Sequence, residues 1–416
     1  MITTQLDSKS QSTARFARHV SSGKADFFAA AGIDFVGGER EGIYLSDVDG
    51  RRLINCHCNG GVFNLGHRNP RVLAALQRAL EYYDIGNHHL ISAPRARLAE
   101  RLAGISPGDL SRVVFGVSGG EAIDLALKLA RAHTKRPQII SALGGYHGHT
   151  GLALAAGDES FRKPFEPLSP GFTQVPFGDL EALGEAMSEE TAAVIFETIP
   201  ATLGIAIPPE DYFAGVRRLC DRFGALMISD EVQTGLGRCG QVWGIDTYGV
   251  IPDMIVTAKG LSGGIYPITA TIYSDRLDRF FRDNPFIHVS TFGGAEAGCF
   301  VALEVLDMLE EPGFLEHVQA MAAVFKEGFA ELLAKHPAVL VEARQRGLMM
   351  GLKLANPYYG PWMTVAGFQA GLLAIYANND PSVLQVLPPL IIQEEEARQV
   401  LAILDGMLSG LEIAFG

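Results

Sequence analysis

The chain has 416 residues, 48% hydrophobic and 19% charged, with 47 glycines and 21 prolines; this excludes a small disulfide scaffold and a disordered chain, and at roughly 150 residues per domain it predicts two or three domains with a sizeable core. Asp and Glu number 47 against 34 Lys and Arg, a net charge of −13 without a basic tract, which disfavours nucleic acid and membrane headgroups and leaves small polar molecules as the expected partners. The five cysteines (Cys56, Cys58, Cys220, Cys239, Cys299) are odd in number and scattered, and the N-terminus lacks an apolar secretory core, so the thiols are expected to be reduced and the protein cytoplasmic.

In chain order, Cys56-His57-Cys58 has no second ligand pair at zinc spacing and reads as packing or pocket residues. From about Arg112 to Ser274, short apolar runs alternate with helical stretches: R-V-V-F-G-V, then E-A-I-D-L-A-L-K-L-A-R-A, Q-I-I-S, A-A-V-I-F-E, A-L-M-I-S-D, M-I-V-T-A-K and I-T-A-T-I-Y-S. Strands alternating with helices predict a largely parallel sheet covered by helices. One helix is expected to carry Glu210 and Asp211 in its first turn after Pro208-Pro209, to bury Phe213, Val216, Leu219, Cys220 and Phe223, and to stop at Gly224. The uncharged stretch from Leu354 to Asn379 is long enough to raise a membrane span, but Pro357, Gly360, Pro361 and Gln369 interrupt it, so a buried helix after a loop is expected. Amphipathic helices around Val318–Lys335 and Glu394–Leu411, with short strands near G-L-M-M-G-L-K-L, close the chain. The fold class is therefore α/β: a large domain with a mostly parallel sheet covered by helices over residues 61–310, a smaller α+β domain over 311–416, and an N-terminal segment, 1–60, that contributes to the small domain.

Three motifs carry chemistry. In V-F-G-V-S-G-G-E-A a strand ends at Ser118-Gly119-Gly120 and a helix begins, so free backbone N–H groups face an anion, with phosphate the natural occupant. The G-x-G-x-x-G of dinucleotide folds is missing here, which counts against a nicotinamide enzyme. In I-S-D-E-V-Q-T-G-L-G-R, Asp230 follows a buried parallel strand at the edge where such sheets build their sites. In I-V-T-A-K-G-L-S-G-G, Lys259 ends the next strand ahead of glycines. Separately each has a bland reading, a glycine turn or a surface charge. Together a phosphate cup, an acid able to hold a pyridinium nitrogen protonated and a lysine able to form a Schiff base meet the requirements of pyridoxal 5'-phosphate.

From N-L-G-H-R-N-P near Asn64 to L-P-P-L near Pro388, and most specifically in D-E-V-Q-T-G-x-G-R and the following A-K-G, the chain resembles the class III (ω-type, ornithine/GABA-like) aminotransferases of fold type I. The resemblance implies that Lys259 is the Schiff-base lysine and Asp230 the partner of the ring nitrogen. It further implies that Val232 and Tyr146 of G-G-Y-H-G-H-T cover the two ring faces, with His147 beside them and Gln233 near the phenolic oxygen. Ser118, Gly119 and Gly120 would hold the phosphate, and Thr291 of T-F-G-G would reach the phosphate of the neighbouring subunit in a homodimer with shared active sites. The implied function is transfer of an amino group between an amine or amino acid and a carbonyl acceptor, with Lys259 as the base; a desolvated pocket with a neighbouring cation is expected to lower its pKa. Aminomutase, racemase or epimerase, and decarboxylase chemistry on the same Lys–Asp pair are the alternatives, and the Y-H-G-H segment is also similar to the glutamate-semialdehyde aminomutase branch.

Several positions depart from the family. Gly120 stands where many members have Ser or Thr; His149 and Gln385 stand where carboxylate-binding arginines are usual; and Thr202, in E-T-I-P-A-T-L-G, aligns with the usual acidic partner of the second arginine. Because an Arg–carboxylate contact is bidentate and geometry-specific, these departures argue against recognition of glutamate and 2-oxoglutarate unless Arg238 or Arg68 substitutes. Tyr358, Tyr359 and Trp362 read either as a substrate entrance or as core.

Overall fold

The structure is a computed structural model that describes residues 8–415. After two N-terminal helices, Lys9–His19 and Ser22–Ala30, come three short strands, β1 (Gly37–Glu41), β2 (Tyr44–Asp47) and β3 (Arg52–Asn55). The central part contributes β4 (Leu110–Gly116), β5 (Gln138–Ala142), β6 (Phe172–Val175), β7 (Thr191–Glu197), β8 (Leu226–Asp230), β9 (Met254–Thr257) and β10 (Thr269–Ser274). They form one seven-stranded sheet in the order β4-β10-β9-β8-β7-β5-β6. It is parallel from β9 through β6, and β10 runs antiparallel to both β9 and β4.

This sheet is covered on both faces, which is why its strands read as continuous apolar runs rather than as alternating ones. Every residue of β7 is buried, yet alternate residues serve different cores. Val194 and Phe196 join Leu102, Phe213, Trp243 and Leu306 on one side, whereas Ala193 and Ile195 join Ile123, Leu127 and Tyr273 on the other, as the period of two along a strand requires.

The C-terminal part adds β11 (Leu340–Arg346), β12 (Met349–Leu354), β13 (Leu372–Leu373), β14 (Ile375–Tyr376) and β15 (Val383–Val386). Strands β11-β12-β15-β14 make an antiparallel sheet, and the helices Phe314–Lys335 and Glu394–Phe415 contribute to its apolar core. Strand β13 pairs in parallel with β3, so both ends of the chain share a sheet. The two larger units meet through Ile199, Ala201 and Ile205 from the loop after β7 against Met349 and Leu387.

Two expectations are revised in detail. The helix expected to include Glu210 and Asp211 begins at Tyr212, because the Tyr212 N–H closes a turn on the Pro209 carbonyl and leaves both acids ahead of the first helical residue. The 354–379 stretch does hold a helix, Tyr359–Ala370, but β13 and β14 follow it. Tyr359 and Trp362 pack against the C-terminal apolar core and onto the half-exposed ring of Phe415, the core reading of the two, and Tyr358 is exposed. Among the described residues no helix is long and apolar enough to cross a membrane, and all five cysteines are buried and unpaired.

Candidate active site

Strand order places the chemistry. Along β9, β8, β7 and β5, the C-terminal ends present in spatial sequence Lys259 two residues beyond β9, Asp230 as the last residue of β8, Glu197 as the last residue of β7, and Tyr146-His147 beyond β5. Glu197 and Asp230 are register partners on neighbouring parallel strands, so their carboxyls leave the sheet side by side. All of these residues line one cleft of about 630 Å³.

At one end of the cleft the helix Gly119–Thr134 starts. Its N-cap Ser118 accepts the Glu121 N–H at 3.2 Å, which leaves the amides at Gly119 and Gly120 at the positive helix end without an intrahelical acceptor. A Cβ on Gly120 would lie 2.7 Å from Thr150 Oγ1, and one on Gly119 would touch Val232 at 3.4 Å. The missing side chain at 120 thus makes room for the Thr150 hydroxyl, which stands beside the amides that a Ser or Thr at 120 would have flanked. Sequence reasoning missed Thr150, because the pairing joins segments thirty residues apart in the chain.

In the middle, Asp230 Oδ2 lies 2.7 Å from His147 Nδ1 and Asp230 Oδ1 accepts the Val232 N–H at 3.1 Å. His147 is buried and its Nε2 has no partner. Burial pushes the imidazolium down, but the hydrogen bond to Asp230 and its charge outweigh this and leave the His147 pKa raised. Lys259 Nζ donates to Gln233 Oε1 at 2.9 Å, and the residue adopts φ +33° in a tight turn. Its pKa is lowered by desolvation, against the opposing pull of Asp230 and Glu197. Of the two expected causes the desolvated pocket is therefore the one at work and the neighbouring cation is not, since Lys259 is the sole Lys or Arg among the described lining residues. Val232 and Tyr146 line the same cleft, and the Tyr146 ring packs edge-on against His149 and Phe161 at 5.3 and 5.5 Å.

Glu197 was also missed, although the signal was present: A-A-V-I-F-E ends on an acid just as A-L-M-I-S-D does. Its Oε1 accepts the Tyr146 N–H at 2.9 Å, and burial, with Asp230 adding to it, pushes its pKa up to about 7. The second acid of the D-E-V-Q motif, Glu231, faces away from the cleft. It is buried and accepts from the hydroxyls of Thr198, Ser229 and Thr234 and from the N–H groups of Gly244 and Ile245, fixing the loop that carries Val232 and Gln233.

The outer positions are neutral. Thr202 Oγ1 and Asn379 Nδ2 both donate to the Gly144 carbonyl, at 3.1 and 2.7 Å. Gln385 is buried in β15 between β12 and β14. Arg238 is fully buried and donates to the Leu348 and Pro388 carbonyls and to Asn64 Oδ1, so it ties chain segments together and is unavailable to a substrate. Arg68 is exposed and does not line the cleft. Thr291 is exposed in the turn Ser290–Gly294 and also stands outside this cleft. A single chain therefore brings together Ser118, Gly119, Gly120, Tyr146, His147, Asp230, Val232, Gln233 and Lys259, and does not bring Thr291 to them.

The profile of the family described as aminotransferase class-III matches residues 30–408. An uncharacterized aminotransferase of Archaeoglobus fulgidus is 60% identical over 381 residues, spanning 92% of this chain and 90% of the relative. Among solved structures, the ornithine aminotransferase of Toxoplasma gondii ME49 superposes with a TM-score of 0.90 at 26% identity over 99% of this chain and 97% of that one. The taurine:2-oxoglutarate aminotransferase of Bifidobacterium kashiwanohense, solved with pyridoxal phosphate and glutamate, superposes with a TM-score of 0.84 at 27% identity over 91% and 93%.

Proposed function

Because the chain belongs to the class III aminotransferase family, whose members depend on pyridoxal phosphate, we propose that it moves an amino group between an amine or amino acid and a carbonyl acceptor, with Lys259 as the residue that binds the cofactor covalently. The observation that carries this reading is the row of strand-end groups Lys259, Asp230 and Glu197 beside the Ser118–Gly120 helix start. The residues fit the group on chemical grounds. Helix-start amides, backed by the Thr150 hydroxyl, suit a phosphate. An aspartate braced by His147 suits a protonated ring nitrogen, and a desolvated lysine without a carboxylate contact suits a carbonyl carbon.

When bound, pyridoxal phosphate supplies an electron sink for the charge left when a substrate Cα proton departs. The protein's part is positional and acid–base. Asp230, held by His147 and the Val232 amide, keeps its negative charge aimed into the cleft. Val232 and Tyr146 present surfaces for a flat ring. Lys259 Nζ takes a proton and returns it at a neighbouring atom, a role that its depressed pKa favours because more of the amine is neutral.

We further read the protein as a cytoplasmic homodimer, in keeping with its unpaired buried cysteines. Exposed Tyr82, Leu90, Ile91, Phe286, Ile287 and Phe292 cluster in sequence around the Thr291 turn and the 82–91 segment. Covering them with a second copy would remove apolar surface from water and carry Thr291 toward the partner's phosphate site.

The test is borohydride reduction of protein loaded with pyridoxal phosphate, followed by peptide mapping. A phosphopyridoxyl label on Lys259, with amine-to-ketone exchange detected by mass spectrometry, is the expected result. A label on another lysine overturns the assignment; products that are isomers, epimers or carbon dioxide move the enzyme to aminomutase, racemase or decarboxylase chemistry.

A further inference from the structure

Glu197 is a buried carboxyl that the foregoing chemistry does not use. It is 8% exposed, lines the cleft and is the register partner of Asp230. Its hydrogen-bond donor is the Tyr146 main chain, and among the described residues no Lys or Arg forms an ion pair with it. Glu231, one residue past Asp230, shows the contrast: five donors satisfy that carboxylate. A buried carboxyl with one N–H donor and a carboxylate neighbour is costly to ionise, because burial strips solvent from the charge and nearby His147 and Lys259 offset this only in part.

We propose, on the reading that this cleft holds pyridoxal phosphate, that Glu197 is a positioning residue: its carboxyl ties the Tyr146 segment to the sheet edge and, as the second acid beside Asp230, sets how strongly the site favours protons on the groups around it. The titratable groups that face it are Tyr146 and His147 from beyond β5, Asp230 at the end of β8 and Lys259 beyond β9. With its pKa pushed up to about 7 by burial first, Glu197 is mostly neutral below that pH and anionic above it. The anion adds a negative charge next to Asp230 and so favours the protonated form of any basic nitrogen between Asp230 and Lys259.

Glu197→Gln keeps the size and a carbonyl acceptor for the Tyr146 N–H but cannot ionise, whereas Glu197→Ala loses both. The pH at which the visible absorption of the bound cofactor changes is expected to fall by about one unit in both variants, the size of shift that one nearby charge produces. Fluorescence titration of cofactor-free protein with pyridoxal phosphate from pH 6 to 8 is expected to show a step in affinity near pH 7 in the wild type that both variants lack. Only Glu197→Ala should also weaken binding at every pH, by about tenfold, because the Tyr146 segment is released. An unmoved absorption midpoint together with a retained step in either variant that folds overturns the proposal. A wild type that shows no cofactor absorption and no label on Lys259 instead overturns the underlying reading, so the two failures are distinct.

Discussion

The floor of the cleft and the outer positions Thr202, Asn379 and Gln385, which stand outside its lining, are built on opposite principles. The floor concentrates ionisable groups, Lys259, Asp230, His147 and Glu197, at the ends of neighbouring strands. The outer positions hold neutral groups: Thr202 and Asn379 are committed to the Gly144 carbonyl, Gln385 lies in β15, and Arg238 is spent on the Leu348 and Pro388 carbonyls and Asn64. On the proposed function, the floor would serve what every substrate shares, whereas the outer positions would serve what distinguishes one substrate from another. The difference teaches that, on this reading, cofactor chemistry and substrate recognition are separable, because different strands and loops would carry them.

The contrast is tested most severely at the floor. Lys259→Ala would remove the proposed covalent anchor and base together, and turnover should fall on the order of a thousandfold or more, with no label after borohydride reduction. Asp230→Asn should still bind cofactor, seen by absorbance, while kcat drops on the order of a hundredfold or more, because a neutral amide does not stabilise the ring-nitrogen proton. Near-normal turnover of that variant with the native substrate would remove Asp230 from its assigned role.

Between the floor and the outer positions, Arg238→Met would leave the Leu348 and Pro388 carbonyls and Asn64 Oδ1 without their donor. A loss of about 3 kcal/mol in unfolding free energy is expected from urea denaturation, since buried acceptors are left unsatisfied. A variant as stable as the wild type that has merely lost affinity for a carboxylate substrate would show that the arginine serves recognition instead.

At the outer positions, 2-oxoglutarate should be a poorer acceptor than less acidic carbonyl compounds, because its second carboxylate would be desolvated without a bidentate partner. Gln385→Arg with Thr202→Glu should improve its single-turnover rate by about tenfold and harm the natural acceptor. A wild type that already reacts fastest with 2-oxoglutarate defeats the idea that neutral outer positions set recognition. The smallest effect is expected from Thr150→Val, which removes the hydroxyl beside Gly120 and should raise the cofactor dissociation constant a few-fold, about 1 kcal/mol, with kcat unchanged.

Much of the floor could be read in the linear chain. A buried parallel strand advertises itself as an unbroken apolar run, and a charged residue where such a run stops lies at the sheet edge that builds sites, which is how Asp230 and Lys259 stood out. The run Thr191–Glu197 followed the same rule and its terminal acid went unnoticed, because the meaning of Glu197 depends on β7 and β8 being neighbours in register. The glycine at 120 was legible as a departure but not as room for Thr150, and Arg238 was legible as a spare cation but not as one already engaged by two carbonyls and Asn64.

By itself, then, the sequence determined the local periodicities, the alternating strands and helices, the helix start at Ser118-Gly119-Gly120 and the chemical kinds of the strand-end residues, because each follows from neighbours a few positions away. Only the tertiary structure decided which strand ends stand side by side, which buried charge is satisfied by five donors and which by one, and where the cations are consumed. Those are properties of groups tens to hundreds of residues apart, and the free energy of a buried charge depends on what surrounds it in space rather than on what precedes it in the chain.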